Sequence, residues 1–295
     1  MNILISGGTG FIGSELCAHL LTEGHTLVVK TRHPELVKRQ VKAISSLSQL
    51  AADESFDVVI NLAGEPIADK RWTRAQKKRI SESRLMATQE LIEHCATATH
   101  KPELFISGSA IGYYGVGSTE ESVDEASSGD DSFSSKLCSE WEACALQAES
   151  LGIRTCLLRT GIVLGKNGGA LQKMVLPFKL GLGGKIGSGT QWMSWIHLQD
   201  LIAIIDYCIN HDTLSGPING TAPYPATNAA FTVALGKAMH RPTPFSMPAK
   251  VVELLMGEMG KELLLAGKLV LPAKIEKTTF KFQYERLDEA LADIL

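Results

Sequence analysis

Two glycine-rich turns and one conspicuous gap carry the chemistry of this sequence. GGTGFIG sets Gly7, Gly10 and Gly13 at a GxxGxxG spacing, with Thr9, Phe11 and Ile12 between them. An apolar run, Asn2 to Ser6, precedes the motif, and Phe11 to Glu23 follows it at helical spacing. Glycines in that setting allow a tight turn and let backbone N–H groups approach a pyrophosphate at a helix N-terminus. The strand before and the helix after raise a weak pattern to a dinucleotide-binding signature. A purely structural tight turn is the plain alternative. The second strand ends VVKTRHP, with Thr31 and Arg32 where NAD-preferring proteins usually place an acid. Without that carboxylate a 2′-phosphate is not repelled, and an Arg fork can bind it. NADP is therefore the expected cofactor, although Arg32 also reads as a solvated loop residue. Asn61-Leu62-Ala63-Gly64 closes the third strand. Its small residues let a cofactor lie close over the strand ends, or simply terminate the strand.

The elements that position these turns follow from periodicity. Strands are expected at Asn2–Ser6, Thr26–Thr31, Asp57–Leu62, Leu104–Ser107 and Arg154–Arg159, and helices at Phe11–Glu23, Arg79–Cys95 and Ser134–Ser150. The alternation predicts an α/β fold, a Rossmann-type doubly wound parallel sheet. Near residue 165 the texture changes. GKNGGALQKMVLPFKLGLGGKIGSG looks like loops over a site. Beyond it come a short strand and apolar helix in WMSWIHLQDLIAIIDYCI, then a helix capped by Thr227 or Asn228. The expected division is a dinucleotide-binding domain over 1–166, also receiving about 193–215, and a smaller, discontinuous C-terminal α+β substrate lobe over 167–295.

Composition narrows the partners. The 295 residues carry 29 Lys plus Arg against 32 Asp plus Glu, which gives no electrostatic reason to expect nucleic acid. No apolar run is long enough to span a membrane. MNILISGG has no basic n-region, so a cytoplasmic protein is expected. The six scattered cysteines lack a CxxC pair, which favours reduced core thiols and no metal. Helices such as Leu137–Leu146 could pair two copies as a homodimer or equally be buried in the core.

GGTGFIG, NLAG, SGSAIGYYG, LRTGIVLG and SWIHLQDL occur in the order found in extended short-chain dehydrogenases/reductases, the NAD(P)-dependent epimerase/dehydratase group. The sequence resembles most an atypical "epimerase family protein" branch, through RWTRAQKKRISESR, GYYG, WEA, LPFKLGLGGKIGSG and a tail with LPAKI and YERLDEAL. The resemblance implies cofactor roles for Thr31, Arg32, Leu62, Ala63, Arg84 and Val163, and a small-molecule substrate between the lobes. Read from the sequence alone, Arg84 is an exposed helix residue.

Hydride chemistry at a carbinol needs a proton moved at the oxygen. In the wider family a Tyr moves it, a Lys four residues later tunes the Tyr, and a strand-end Ser fixes the substrate oxygen. The matching residues here are Ser109 and Lys136, but Ser132 stands where the Tyr belongs. An aliphatic hydroxyl cannot replace a phenol of pKa about 10. Tyr113 or Tyr114 could supply the proton. Asp130, Asp131 and His197 are weaker candidates that read as loop carboxylates and a structural histidine. Met193 stands where nucleotide-sugar enzymes of the family carry an Arg that meets the diphosphate. A thioether cannot pair with a phosphate, which argues against a UDP-sugar substrate. Lys173, Lys179 and Lys185 could bind an anion or simply be solvated. Two readings follow: an NADP(H)-dependent oxidoreductase or epimerase with an atypical site, and a non-catalytic NADP(H)-binding redox sensor.

Overall fold

The computed structural model describes residues 1–51, 53–117 and 121–295. Its centre is a parallel sheet. Strands β1 (Asn2–Ser6), β2 (Thr26–Lys30), β3 (Lys42–Ile44), β4 (Val58–Asn61) and β5 (Leu104–Ala110) come first. Helices α1 (Phe11–Thr22), α2 (Arg74–Thr97) and α3 (Phe133–Ala145) connect them, with the two-residue β6 (Ser122–Val123) before α3. β7 (Arg154–Thr160) and β12 (Gly216–Gly220) complete a seven-stranded sheet of order β12-β7-β5-β4-β1-β2-β3. Every pairing in it is parallel. The order reverses at β1, as a doubly wound sheet requires.

Alternation builds both faces. Ile3 and Ile5 point to one side, where they join Leu16 and Leu20 of α1. Leu4, Val59 and Phe105 point to the other and meet Leu91 of α2. All eight are essentially inaccessible. Each such side chain contributes about 1.5–3 kcal/mol of transfer free energy when buried. Two faces covered by helices explain why these strands read as unbroken apolar runs.

After β7 the chain leaves the sheet through β8 (Ile162–Leu164), α4 (Gly169–Lys179), β9 (Gly184–Ile186), β10 (Trp192–Met193) and β11 (Trp195–His197). It returns through α5 (Leu198–Asn210), whose apolar face packs on the α1 side of the sheet. Beyond β12 come β13 (Ala226–Thr227), α6 (Asn228–Ala238), β14 (Phe245–Met247), α7 (Ala249–Met256), the single turn α8 (Glu258–Gly260), β15 (Leu269–Val270), α9 (Ala273–Glu276) and α10 (Leu287–Ile294). A π-helical turn, Lys261–Leu265, follows α8. A second core of Leu171, Phe178, Trp195, Phe231 and Leu291 holds α4, α6 and α10 together.

Several expectations shift here. The glycine-rich stretch after residue 165 contains a helix, α4, rather than only loops. Leu171 and Phe178 lie two turns apart and are both buried, a spacing that the surrounding glycines obscured. β3 went unseen because three residues carry too little pattern. α2 begins at Arg74 because the Thr73 hydroxyl accepts from the Gln76 N–H. α6 is capped by Thr227, whose side chain accepts from the Ala230 N–H. The six cysteines are free thiols. Among the described residues no helix is long and apolar enough to cross a membrane.

Candidate active site

The glycine loop fills the corner between β1 and α1. Gly7 has φ +76°, and a Cβ there would stand 2.6 Å from the carbonyl carbon of Leu62. The loop thus touches the end of β4 with nothing to spare. A Cβ on Gly13 would stand 2.2 Å from the Gly7 carbonyl oxygen, so only glycine lets α1 start this close to the turn. Gly10 caps α1 without a side-chain hydrogen bond, and the first turn holds no acid. The N–H groups of Phe11, Ile12 and Gly13 therefore have no intrahelical acceptor and form a cradle for an anion. Phe11 packs under Gly165, Gly168 and Gly169, where any Cβ would fall within 3.0 Å of its ring. Val163 is buried on the adjoining β8. A cavity of about 500 Å³ opens beside Thr9, Gly10 and Phe11, with Lys166 and Asn167 on its far wall. The donor set fits a dinucleotide pyrophosphate.

The neighbouring strand ends are tied to this loop. Ser6 Oγ donates to Asn61 Oδ1 at 2.5 Å, and Asn61 Nδ2 donates to Thr88 Oγ1 of α2 at 2.8 Å. This buried pair of bonds fixes where Leu62 and Ala63 leave the sheet. Thr31 Oγ1 lies 3.1 Å from Thr9 Oγ1 and also accepts from the His33 N–H. Arg32 is exposed and makes no ion pair among the described residues. Arg84 turns inward instead. Its Nη1 donates to the carbonyls of Glu65 and Ile80, both at 3.0 Å, and its guanidinium lies 5.2 Å from the Trp141 ring. A Cβ on Gly64 would meet Arg84 Cζ at 3.0 Å. Arg84 holds the corner at Gly64 and Glu65, and burial pushes its pKa down.

The other end of the site is built from side chains. Ser109 on β5, Arg159 on β7 and Asn219 on β12 are register partners, one row across three strands. Ser109 Oγ donates to Glu142 Oε1 of α3 at 2.6 Å. Arg159 grips the same carboxylate in a fork, Nε to Oε1 and Nη2 to Oε2, both at 2.8 Å. Glu142 is 5% exposed and Arg159 3%. Burial alone would lower the guanidinium pKa, but the bonds and charge of Glu142 outweigh it and leave Arg159 above its ordinary value. Arg159 Nη1 also donates to Tyr114 Oη at 3.0 Å, and Tyr114 Oη donates to Asn219 Oδ1 at 2.7 Å. Burial pushes the Tyr114 phenol up to about 12, so it holds its proton. Tyr113 is half-buried and lies flat on the guanidinium, 3.4 Å from Cζ to ring centroid.

The gap in the sequence has a structural answer. Ser132 is the N-cap of α3; its hydroxyl accepts from the Ser135 N–H and donates to Asp130 Oδ1. Burial works against the Asp130 carboxylate, yet the Ser132 bonds and the Val116 N–H hold its pKa below the usual value. Lys136 does not face Ser109. Its side chain is 60% exposed and pairs with Asp131 at 3.1 Å. The inward face of α3 is instead Ser134, Cys138, Trp141, Glu142 and Ala145. Ser134 and Cys138 carry the four-residue spacing on that face, with the Cys138 thiol against Ser109 and pushed up to about 11 by burial. Position 136 lies about 200° around the helix from both. The C-terminal segment then closes this end. Glu262 accepts from the N–H groups of Phe133 and Ser134 and from Ser134 Oγ, the last at 2.6 Å.

The remaining candidates are structural in their contacts. His197 caps α5, with Nδ1 accepting from the Gln199 N–H. Its ring lies against that of Tyr284, 3.9 Å between centroids and tilted by 35°, and burial lowers its pKa. Its Nε2 stands 3.5 Å from Asp293, long for a hydrogen bond. Met193 is buried, with Asn228 Nδ2 on its sulfur. Lys173 bonds Asp69, tying α4 to the loop after β4, and Lys185 reaches the Ser188 carbonyl.

Glu142, Arg159, Cys138 and Glu262 are absent from the sequence-derived site. Glu142 and Arg159 stand inside WEA and LRTG, but nothing in either motif says that they meet.

Comparison with known proteins fits this geometry. The profile described as "NAD dependent epimerase/dehydratase family" matches residues 3–231, and a domain of unknown function, DUF1731, matches 247–294. The chain is 37% identical over 292 residues to epimerase family protein ML0860 of Mycobacterium leprae, covering 98% of this chain and 94% of the relative. It is 38% identical over 296 residues to epimerase family protein SAR0825 of Staphylococcus aureus, covering 99% and 98%. A crystal structure of human epimerase family protein SDR39U1 (isoform 2) with NADPH superimposes with a TM-score of 0.90 at 35% identity, covering 100% of this chain and 99% of that one.

Proposed function

The chain belongs to the NAD dependent epimerase/dehydratase family, and from that premise we propose that it is an NADP(H)-dependent oxidoreductase or epimerase with a rebuilt proton-handling site. An NAD(P)-binding Rossmann fold of the epimerase type is the common ground. The choice of NADP rests on Arg32, an exposed guanidinium without an ion pair among the described residues, at the strand end where an acid would repel a 2′-phosphate. The human relative's crystal structure, which contains NADPH, supports the same choice.

In this reading Gly7, Thr9, Gly10, Phe11, Ile12 and Gly13 hold the pyrophosphate, while Thr31 and Arg32 hold the 2′-phosphate. Leu62, Ala63, Gly64 and Val163 line the dinucleotide track, and Arg84 acts through Gly64 and Glu65. The bound nicotinamide supplies hydride transfer. Ser109 fixes the substrate oxygen. Tyr113, held by its ring against Arg159, is the candidate acid, because Tyr114 is locked in the core. Ser132 belongs to the helix cap and Lys136 to the surface.

A second reading is a non-catalytic NADP(H) sensor. The observation that favours it is the outward Lys136, which leaves no cation at tuning distance on the Tyr-x-x-x-Lys spacing.

The test is a fluorescence titration with NADPH and NADH on wild type and Arg32→Ala. NADPH should bind at least about tenfold more tightly, and the variant should lose that margin, about 1.4 kcal/mol. Equal affinities in the wild type would remove the NADP assignment. No binding of either nucleotide would remove both readings. Turnover of an alcohol panel with NADP⁺, or of a carbonyl panel with NADPH, that disappears in Ser109→Ala with NADPH binding intact separates the enzyme from the sensor.

A further inference from the structure

Ser109 has one proton, and the structure shows where it goes. The hydroxyl lies 2.6 Å from Glu142 Oε1. An ionised carboxylate accepts and cannot donate. Arg159 forks that same carboxylate, Nε to Oε1 and Nη2 to Oε2, with both side chains buried together. Both Glu142 oxygens already accept from Arg159, so neither is placed to donate to Ser109. Arg159 has no freedom to turn away. Its Nη1 is held by Tyr114 and the Glu125 carbonyl, and its face is covered by Tyr113. The polarity of the hydroxyl is therefore fixed from behind. The Cys138 thiol also lies against Ser109 but is a far weaker acceptor than the carboxylate, so toward a ligand Ser109 presents lone pairs.

We infer that the substrate group seated at Ser109 is a hydrogen-bond donor, a carbinol O–H or an amino group and not a bare carbonyl, and that Glu142 and Arg159 set this polarity. The inference rests on the proposed reading that Ser109 faces the substrate. It sharpens the substrate class, since the alcohol member of an alcohol–ketone pair is the one held in the ground state. A ketone oxygen placed there would face lone pairs and lose its hydrogen bond, which a site built this way discriminates against. Glu142 and Arg159 are positioning residues, because they act through Ser109.

Neutron diffraction from deuterium-exchanged crystals grown with NADP⁺ reads the proton directly. The expected result is nuclear density for the Ser109 deuteron on the line to Glu142 Oε1. Density pointing away from Glu142 overturns the inference. Parallel crystals soaked in 2-propanol and in acetone, near-isosteric probes that differ in one donor, test the ligand side. 2-Propanol should occupy the position at Ser109 about tenfold more than acetone, the factor that corresponds to about 1.4 kcal/mol for one hydrogen bond. Equal occupancy, acetone alone, or neither solvent at Ser109 overturns the donor assignment. Glu142→Gln places an amide behind Ser109 that can donate to it, so acetone should then gain on 2-propanol. The wild-type measurements stand whether or not that variant folds. NADPH affinity does not depend on the Ser109 proton. A deuteron in the wrong place with normal NADPH binding defeats this inference and leaves the cofactor reading standing.

Discussion

The two ends of the site are made of different material. Around Gly7–Gly13 the groups available to a ligand are backbone N–H groups, and four of the seven residues are glycine. Around Ser109 the working groups are charged and hydroxylic side chains bonded to one another in the core. Backbone geometry depends on a few consecutive residues. The Ser109 end depends on pairs far apart in sequence, such as Tyr114 with Asn219. A cradle of the first kind persists as long as its glycines do. A network of the second kind is exchanged or retained as a unit, because removing one member strands the others.

That contrast can be broken hardest at Glu142. Glu142→Ala leaves Arg159 buried without its partner and should cost about 3–5 kcal/mol of stability, read by chemical denaturation. Glu142→Leu combined with Arg159→Met should recover much of that loss, since an apolar pair of similar volume carries no stranded charge. A double variant no better than Glu142→Ala would mean that the network does not act as a unit. The glycine end should respond in a different currency. Gly13→Ala drives a methyl into the Gly7 carbonyl and should cost about 1–3 kcal/mol, with NADPH binding lost in the same titration. Retained binding would mean that the cradle tolerates a shift of α1. The smallest effect belongs to Ser132→Ala, which removes a cap worth about 1 kcal/mol and should leave NADPH affinity unchanged. Ser132→Asp should restore the lost stability, because Asp caps equally well. A fall in catalysis without a fall in stability would return Ser132 to the chemistry.

The same contrast explains what could be read in advance. The glycine loop, the strand carrying Asn61 and the Thr31–Arg32 corner are local, so spacing and residue type were enough to place them. Ser109 was legible because a strand end is a local feature. Lys136 was not, since its facing depends on where α3 starts, and the Ser132 cap with Asp130 sets that start. Arg84 reads as a surface residue until α3 arrives to put Trp141 beside it. Helix α4 was obscured by the glycines on either side of it. Glu262 gave no signal at all, because its partner helix lies 128 residues earlier.

Glu262 also sets an order in time. Chains emerge N-terminus first, and local contacts form before distant ones. The glycine cradle needs only β1, α1 and the end of β4, all complete within the first 64 residues. The start of α3 receives its second carboxylate only when residue 262 has been made and the π-helical turn has folded back across it. A nascent chain therefore acquires its glycine cradle well before the start of α3 has both of its carboxylates.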